Sequence, residues 1–518
     1  PRYTGELPPG RLNLARYCLA PAAETVPGRT ALVVVSDADA PSGAAEQWSY
    51  AELDDAVRAV AAGLLGTGLR PGDRVMIRLG NTSSYALLYF GAMAAGLIAL
   101  PSSDQLTQDE AHFLLDDSGA AALAVSEDLD IAVPDGVAVI RPDDVAGWIA
   151  EGPRAAYADT ASDDAAYLVY TSGTTGRPKG VLHAHRAGWG RRPMYAGWLG
   201  IRPGDLLLHA GAFNWTYTLG VGLTDPWANQ ATALIYNGPR DPAVWARLIE
   251  RHRATLFAAV PRVCRQLLKY AVLDALVLSS LRHGLTAGEA LAPALLEQWR
   301  AATGLELYES LGMSEISTFI SSSPSVPVRP GSPGRVQPGR CVTVLPVEGG
   351  EEPLPQGSTG LLAVHRSDPG LMLGYWRRPD EQAQVLRGDW FVGGDLVEIG
   401  TDGYVTYHGR NDDIMNAQGY RVSPLEVEHC LAAHPAVADV AVTEVAVRPG
   451  LRIIAAFVVP EDPDDPRGLD VADLMEHAAR HLAPYKRPRE VVFVDSLPRT
   501  ANGKVRRRAL ADRHGPTG

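Results

Sequence analysis

The stretch Tyr170-Thr-Ser-Gly-Thr-Thr-Gly-Arg-Pro-Lys-Gly180 follows an apolar run, Ala165-Ala-Tyr-Leu-Val-Tyr170, that reads as a buried strand. Hydroxyls at Thr171, Ser172, Thr174 and Thr175 are interleaved with glycines at Gly173, Gly176 and Gly180, and Lys179 adds a cation near the end. Glycine lets a backbone turn through conformations that a Cβ would forbid. Hydroxyls and exposed backbone N–H groups can then wrap a polyphosphate, and a lysine can reach its outer phosphates. The spacing differs from the Gly-x4-Gly-Lys-Ser/Thr of P-loop proteins. A plain surface turn requires neither this order of residues nor the strand in front of it.

The bulk properties set limits around that loop. A chain of 518 residues is too long for one ordinary core and implies at least two domains. A formal net charge of −13 gives no reason to expect nucleic-acid binding, which calls for a basic footprint. Cys18, Cys264, Cys341 and Cys430 lie far apart without metal-ligand spacing and read as reduced thiols. Pro1-Arg-Tyr-Thr has no basic-then-apolar pattern, so a cytoplasmic protein is expected. The window Tyr85 to Leu100 is the most membrane-like, but it is shorter than the ~20 residues that span a bilayer. It reads as a buried helix running into a strand that ends at Pro101, and no membrane insertion is expected.

Strand-like and helix-like patterns alternate through the first part of the chain. Ala31-Leu-Val-Val-Val35 and Arg74-Val-Met-Ile-Arg78 read as strands, and Ser49 is placed to cap a helix through Leu69. This alternation argues for an α/β architecture. His183 and His185, with no third ligand type in spacing, read as structural rather than metal-binding. An apolar strand from Leu206 runs into Phe213, Asn214, Trp215 and Tyr217, with the small residue Gly220 following. That cluster suits a flat apolar pocket with a polar rim.

The phosphate loop resembles the signature of the adenylate-forming superfamily: acyl- and aryl-CoA synthetases, peptide-synthetase adenylation domains and luciferases. Further motifs follow in order. Gly288-Glu289-Ala290 resembles the strip facing adenine, and Tyr308-Glu-Ser-Leu-Gly-Met-Ser-Glu315 resembles the adenine- and metal-contacting motif. Leu311 stands there for the usual aromatic residue, before Gly312, and Ser314 for threonine; the aliphatic residue is a feature of benzoate-type ligases. Asp395 and Arg410 stand where the family holds ribose, Arg421 where it reaches the adenylate phosphate, and Asn416 where lysine is common. Pro498-Arg-Thr-Ala-Asn-Gly-Lys504 matches the run that ends in the family's catalytic lysine.

The resemblance implies a large N-terminal domain of β-sheets flanked by helices, residues 1–411, and a small mobile α+β domain, residues 412–518, hinged at Asp412. It implies an ATP-dependent carboxylic acid–CoA ligase working through an acyl-adenylate, with ATP, Mg²⁺ and CoA as its small-molecule partners. Lys504, Glu315 and Lys179 would be catalytic, with Glu315 on the metal. Thr171 to Gly176 would hold phosphates, and Phe213, Asn214, Trp215 and Gly220 would line the pocket of an aromatic or compact cyclic acid, with medium-chain aliphatic acids next. An enzyme that loads a carrier protein, or that passes the adenylate to another nucleophile including in nitrite or amine chemistry, stays open. The run around Lys504 also resembles a site silenced by protein acetyltransferases.

Overall fold

The computed structural model describes residues 2–129, 131–171, 178–239, 241–273, 277–413, 415–417, 420–448, 451–461, 470–500 and 505–514. Ser172 to Gly176 of the phosphate loop, and Lys504, lie outside these residues. Among the described residues the strands form a fourteen-stranded sheet, a seven-stranded sheet, and two small sheets of two and three strands. The fold is α/β, with helices flanking the two large sheets and a smaller C-terminal α+β domain after them.

The seven-stranded sheet has Arg74–Arg78 between Ile98–Ser102 and Ala122–Val125, all parallel. These strands are buried on both faces, which is why they read as continuous apolar runs rather than as alternations. Helix Tyr50–Gly66 starts at Ser49 through a capping box with Glu52. It stops short of the expected Leu69, just before Gly68 turns at φ +95°. The window from Tyr85 divides as expected into helix Ser83–Ala94 and strand Ile98–Ser102. No helix among the described residues is long and apolar enough to cross a membrane.

In the larger sheet, Leu206–His209, Leu256–Ala259, His283–Ala287 and Leu307–Met313 run parallel. A sharp hairpin then reverses the chain into Ser317–Ser321, and the rest of that side is antiparallel. The carboxyl ends of the parallel strands therefore open on one side, where open α/β sheets form their ligand crevice. A buried ion pair braces the chain on its way to the next edge strand. Arg340 and Asp368 are both fully buried, meet at 2.9 Å through both carboxylate oxygens, and Arg340 also donates to the Gly190 carbonyl. Arg186 holds the Pro369 and Leu371 carbonyls at 2.7 and 2.8 Å. Such a pair is tolerated in the interior only because its remaining donors are satisfied.

The C-terminal domain has its own cores. Met415, Val427, Leu431, Val442, Ala456, Leu474 and Ala478 pack together, and Phe457, Leu497 and Leu510 belong to a second cluster on the other face. Its sheet pairs Val437–Arg448 antiparallel with Leu451–Pro460, which pairs in parallel with Glu490–Phe493. Helices Pro424–Ala432 and Val471–His481 pack side by side against it.

Candidate active site

The strands on either side of the expected phosphate loop pair with each other. Ala165–Thr171 pairs antiparallel with Lys179–Ala184, and Thr171 stands opposite Lys179. Thr171 and Lys179 both line the groove. Lys179 does not float free. Its Nζ lies 3.9 Å from the centroid of the Tyr375 ring and 3.8 Å from Glu381 Oε2.

Tyr375 is the junction of the site. The strand Gly374–Tyr375 pairs with Lys179–Ala184, putting Tyr375 opposite Val181. Its hydroxyl donates to Glu315 Oε1 at 2.7 Å. Burial first, and then the neighbouring carboxylate, push the phenol far above its ordinary pKa, so it stays a donor. Glu315 sits in the turn between Leu307–Met313 and Ser317–Ser321, and its carbonyl accepts from the Met372 amide at 2.7 Å. His183 holds the same turn from below, its Nε2–H donating to the Ser314 carbonyl at 2.7 Å while its ring stacks on Tyr167 at 4.7 Å. Burial lowers His183 and His185 to about 4, so both imidazoles are neutral.

Strand ends supply the remaining walls. Gly288 follows His283–Ala287 at φ +94°, and a Cβ there would lie 2.8 Å from the Trp215 ring, so only glycine permits this approach. Glu289 and Ala290 continue the wall, and Leu311, Gly312 and Ser314 face them from the next strand and its turn. Burial raises the Glu289 pKa, and Arg499, 3.7 Å away, opposes that shift. On the opposite side Asp395 pairs in register with Arg410. Asp395 Oδ1 accepts from the Tyr407 hydroxyl at 3.1 Å and lies 3.7 Å from Arg410 Nη1. Arg410 also donates to the Gly393 carbonyl and, at 3.2 Å, to Asp412. Burial alone would lower Arg410, but Asp395 and Asp412 outweigh it and raise its pKa. Arg421 stands on Tyr420–Val422 opposite Asn416, in the two-stranded sheet after Asp412.

The expected acid pocket divides. Asn214 and Trp215 line the groove; Trp215 meets Tyr217 edge to face at 5.4 Å. Asn214 Oδ1 is buried without a hydrogen-bond partner among the described residues. Phe213 and Gly220 are placed elsewhere. The Phe213 amide is held by Asn81 Oδ1 at 3.1 Å, which turns the ring into the core, 5.6 Å from Tyr85. Gly220 lies under Arg191, where a Cβ would come within 2.1 Å of the guanidinium. That guanidinium is fixed by two 2.6 Å bonds to buried Asp225, so the glycine serves packing. Tyr375 and His183 are the positioning groups that sequence reading did not single out as site residues.

Residues 19–376 match the AMP-binding enzyme family, and residues 426–504 match the AMP-binding enzyme C-terminal domain. The chain is 30% identical to a 3-hydroxybenzoate–CoA ligase of Aromatoleum sp. (strain CIB), over 96% of this chain and 98% of that protein. It superposes on the anthranilate CoA ligase AuaEII in complex with anthranoyl-AMP at a TM-score of 0.87, with 28% identity and 98% of each chain covered. A benzoate CoA ligase from Burkholderia xenovorans LB400 gives 0.84 at 29% identity, covering 96% of this chain and 99% of that one.

Glu309 lies at the back of the groove, buried, with Oε1 accepting only the Leu291 amide at 2.9 Å among carboxylate contacts in the described residues. Burial raises its pKa from 4.5 to about 7, and the amide bond opposes this only in part. In that window the unfolded state has released a proton that the native state keeps, so stability falls as pH rises from about 4.5 to about 7. Glu309→Gln removes the titrating group. Thermal denaturation should show the variant gaining on the parent protein as pH rises through that window; parallel pH profiles would contradict the assignment.

Proposed function

The chain belongs to the AMP-binding enzyme family and is an AMP-forming acid–thiol ligase, and from that premise we propose that it joins a compact aromatic acid to CoA in this groove. The reaction consumes acid, ATP and CoA and yields acyl-CoA, AMP and pyrophosphate. A carboxylate is a poor electrophile because its leaving group would be oxide. Attack of a carboxylate oxygen on the α-phosphate forms the acyl-adenylate and expels pyrophosphate, after which the CoA thiolate attacks the acyl carbon and AMP leaves with the bonding pair. Such phosphoryl chemistry needs positioning and charge compensation more than covalent help.

The observation that carries this reading is the Lys179–Tyr375–Glu315 junction, which sets a cation and a carboxylate on two sides of one phenol at the mouth of the phosphate loop. In the proposed complex Lys179 and the Thr171–Gly176 loop hold the β- and γ-phosphates. Asp395 and Arg410 take the ribose hydroxyls, since a carboxylate offers acceptors to two adjacent donors. Gly288 to Ala290 and Leu311 flank the base, and Arg421 reaches the adenylate phosphate. The donor set at the turn is all oxygen: the Glu315 carboxylate with the Ser314 and Thr171 hydroxyls within the same groove. That set fits Mg²⁺, which takes hard oxygen ligands and, when bound, neutralises phosphate charge.

Lys504 is assigned to the carboxylate and α-phosphate. In support, Arg499 and Val505, which flank residues 500–504 in sequence, form an antiparallel bridge, and Arg499, Thr500 and Val505 line the groove beside Glu289. Domain alternation about Asp412 would withdraw Lys504 before thiol attack. The contacts across the groove include the polar pairs Arg499–Glu289 and Lys269–Glu461. The Lys269–Glu461 pair is exposed and contributes about 0–1 kcal/mol, whereas Arg499–Glu289 is largely buried. Acetylation of Lys504 by a protein acetyltransferase would remove its charge and stop the first half-reaction. A cytoplasmic location belongs to the same reading, in keeping with four free thiols.

Trp215 and Tyr217 favour a flat ring, and the unpartnered Asn214 Oδ1 favours a ring bearing a hydroxyl or amino donor. Pyrophosphate release should require a benzoate-type acid, prefer hydroxy- or aminobenzoates over hexanoate, and accelerate when CoA is added. Release indifferent to the acid, or unchanged by CoA, would overturn the proposal. Tyr375→Phe keeps the ring beneath Lys179 but loses the bond to Glu315. Hydrogen bonds to charged groups are worth about 1.5–3 kcal/mol, so the acid-dependent rate should fall roughly 10- to 100-fold; an unaltered rate would remove Tyr375 from the site.

A further inference from the structure

Cys430, His477 and His481 form a cluster outside the groove, on the two packed helices of the C-terminal domain. One ligand atom from each lies within 4.8 Å of the others. Cys430 comes from helix Pro424–Ala432, while His477 and His481 sit one turn apart on helix Val471–His481. An i, i+4 pair shares one helix face and can converge on one ion.

The hydrogen bonds decide which ring nitrogens are available. His477 Nε2 lies 3.0 Å from the Cys430 carbonyl, and His481 Nδ1 lies 2.9 Å from the His477 carbonyl. A carbonyl can only accept, so each of these nitrogens carries the proton. His477 Nδ1 and His481 Nε2 are left with lone pairs. Backbone carbonyls that fix the tautomer of a metal-binding histidine are the usual outer support of such sites. The neighbouring His434 is committed otherwise: its Nδ1 accepts from the Ala436 amide at 3.3 Å, and its Nε2 faces Asp473 Oδ2 at 3.2 Å.

We propose that Cys430, His477 and His481 form a binding site for one borderline transition-metal ion, Zn²⁺ in type, that pins the two helices of the C-terminal domain together. One thiolate and two neutral imidazoles suit Zn²⁺ or Co²⁺ and not Mg²⁺, and the fourth tetrahedral position is left to water. Bonds of about 2.0–2.3 Å hold ligand atoms about 3.4–3.6 Å apart, so binding needs a small inward rotation of side chains. His481 is exposed and Cys430 and His477 are half-buried, which leaves an approach from solvent and room to turn. The site differs in chemistry from the all-oxygen set around Glu315, and Cys430 does not line the groove. Binding releases the thiol proton and changes no oxidation state.

The test is a Co²⁺ titration of the full-length, tag-free protein without nucleotide. A thiolate-to-cobalt charge-transfer band should grow to saturation at one ion per chain and vanish when Zn²⁺ displaces Co²⁺. Because Cys18, Cys264 and Cys341 are buried, the band reports Cys430. Cys430→Ser should abolish it. His481→Gln, at an exposed position, should weaken Co²⁺ binding about tenfold or more, at least the loss that follows removal of an outer support. Zn²⁺ should raise the melting temperature of the parent protein and not that of Cys430→Ser. No band at saturating Co²⁺, or an equal band in Cys430→Ser, would overturn the proposal.

Discussion

One tyrosine sets the geometry of the groove. Tyr375 presents its ring to Lys179 and its hydroxyl to Glu315, so the cation and the carboxylate keep a fixed separation before any ligand arrives. Neither contact is large on the scale of a fold: a cation–π contact contributes about 0.5–2 kcal/mol and a phenol–carboxylate bond about 1.5–3 kcal/mol. Their value lies in being made by one rigid side chain whose backbone is pinned to the Lys179–Ala184 strand. The Arg340–Asp368 pair and the carbonyl contacts of Arg186 fix the chain leading to that strand. A buried ion pair and two carbonyl contacts thus help to fix the position of one phenol.

A second linkage runs from Asp395 to Asp412. Arg410 faces Asp395, binds the Gly393 carbonyl and reaches Asp412. In the proposed reaction Asp395 binds ribose and Asp412 is the hinge, so one guanidinium senses both. Rotation of the small domain would have to exchange or carry the Asp412 contact. This gives a physical route by which nucleotide occupancy and domain position could influence each other, through a discrete ion pair rather than through diffuse flexibility.

Much of the fold was legible because its strands are short apolar runs with clear ends. Arg74–Arg78 and the strand before the phosphate loop were readable in this way, and Ser49 announced its helix through a capping box. The ordered motifs named Glu315, Asp395, Arg410 and residues 288–290, which all line one groove. Tyr375 was not legible as a site residue, since a tyrosine between Gly374 and Trp376 looks like ordinary packing. Its partner Glu315 is 60 residues away, and only sheet pairing brings them together. Phe213 lies in the expected turn after the Leu206 strand, but its ring is buried beside Tyr85 and does not line the groove, a placement that local sequence does not reveal. Linear spacing hid the Cys430 cluster as well, because His477 lies 47 residues from Cys430 and meets it only through helix packing.

The most direct test of the central claim is a crystal structure with a hydrolysis-resistant hydroxybenzoyl-adenylate analogue. Adenine against Gly288 to Ala290, ribose on Asp395, and the aromatic ring beside Trp215 and Asn214 would be the predicted outcome, with the Tyr375 bridge between Lys179 and Glu315 intact. An analogue bound with its ring away from Trp215, or with ribose away from Asp395, would contradict the account.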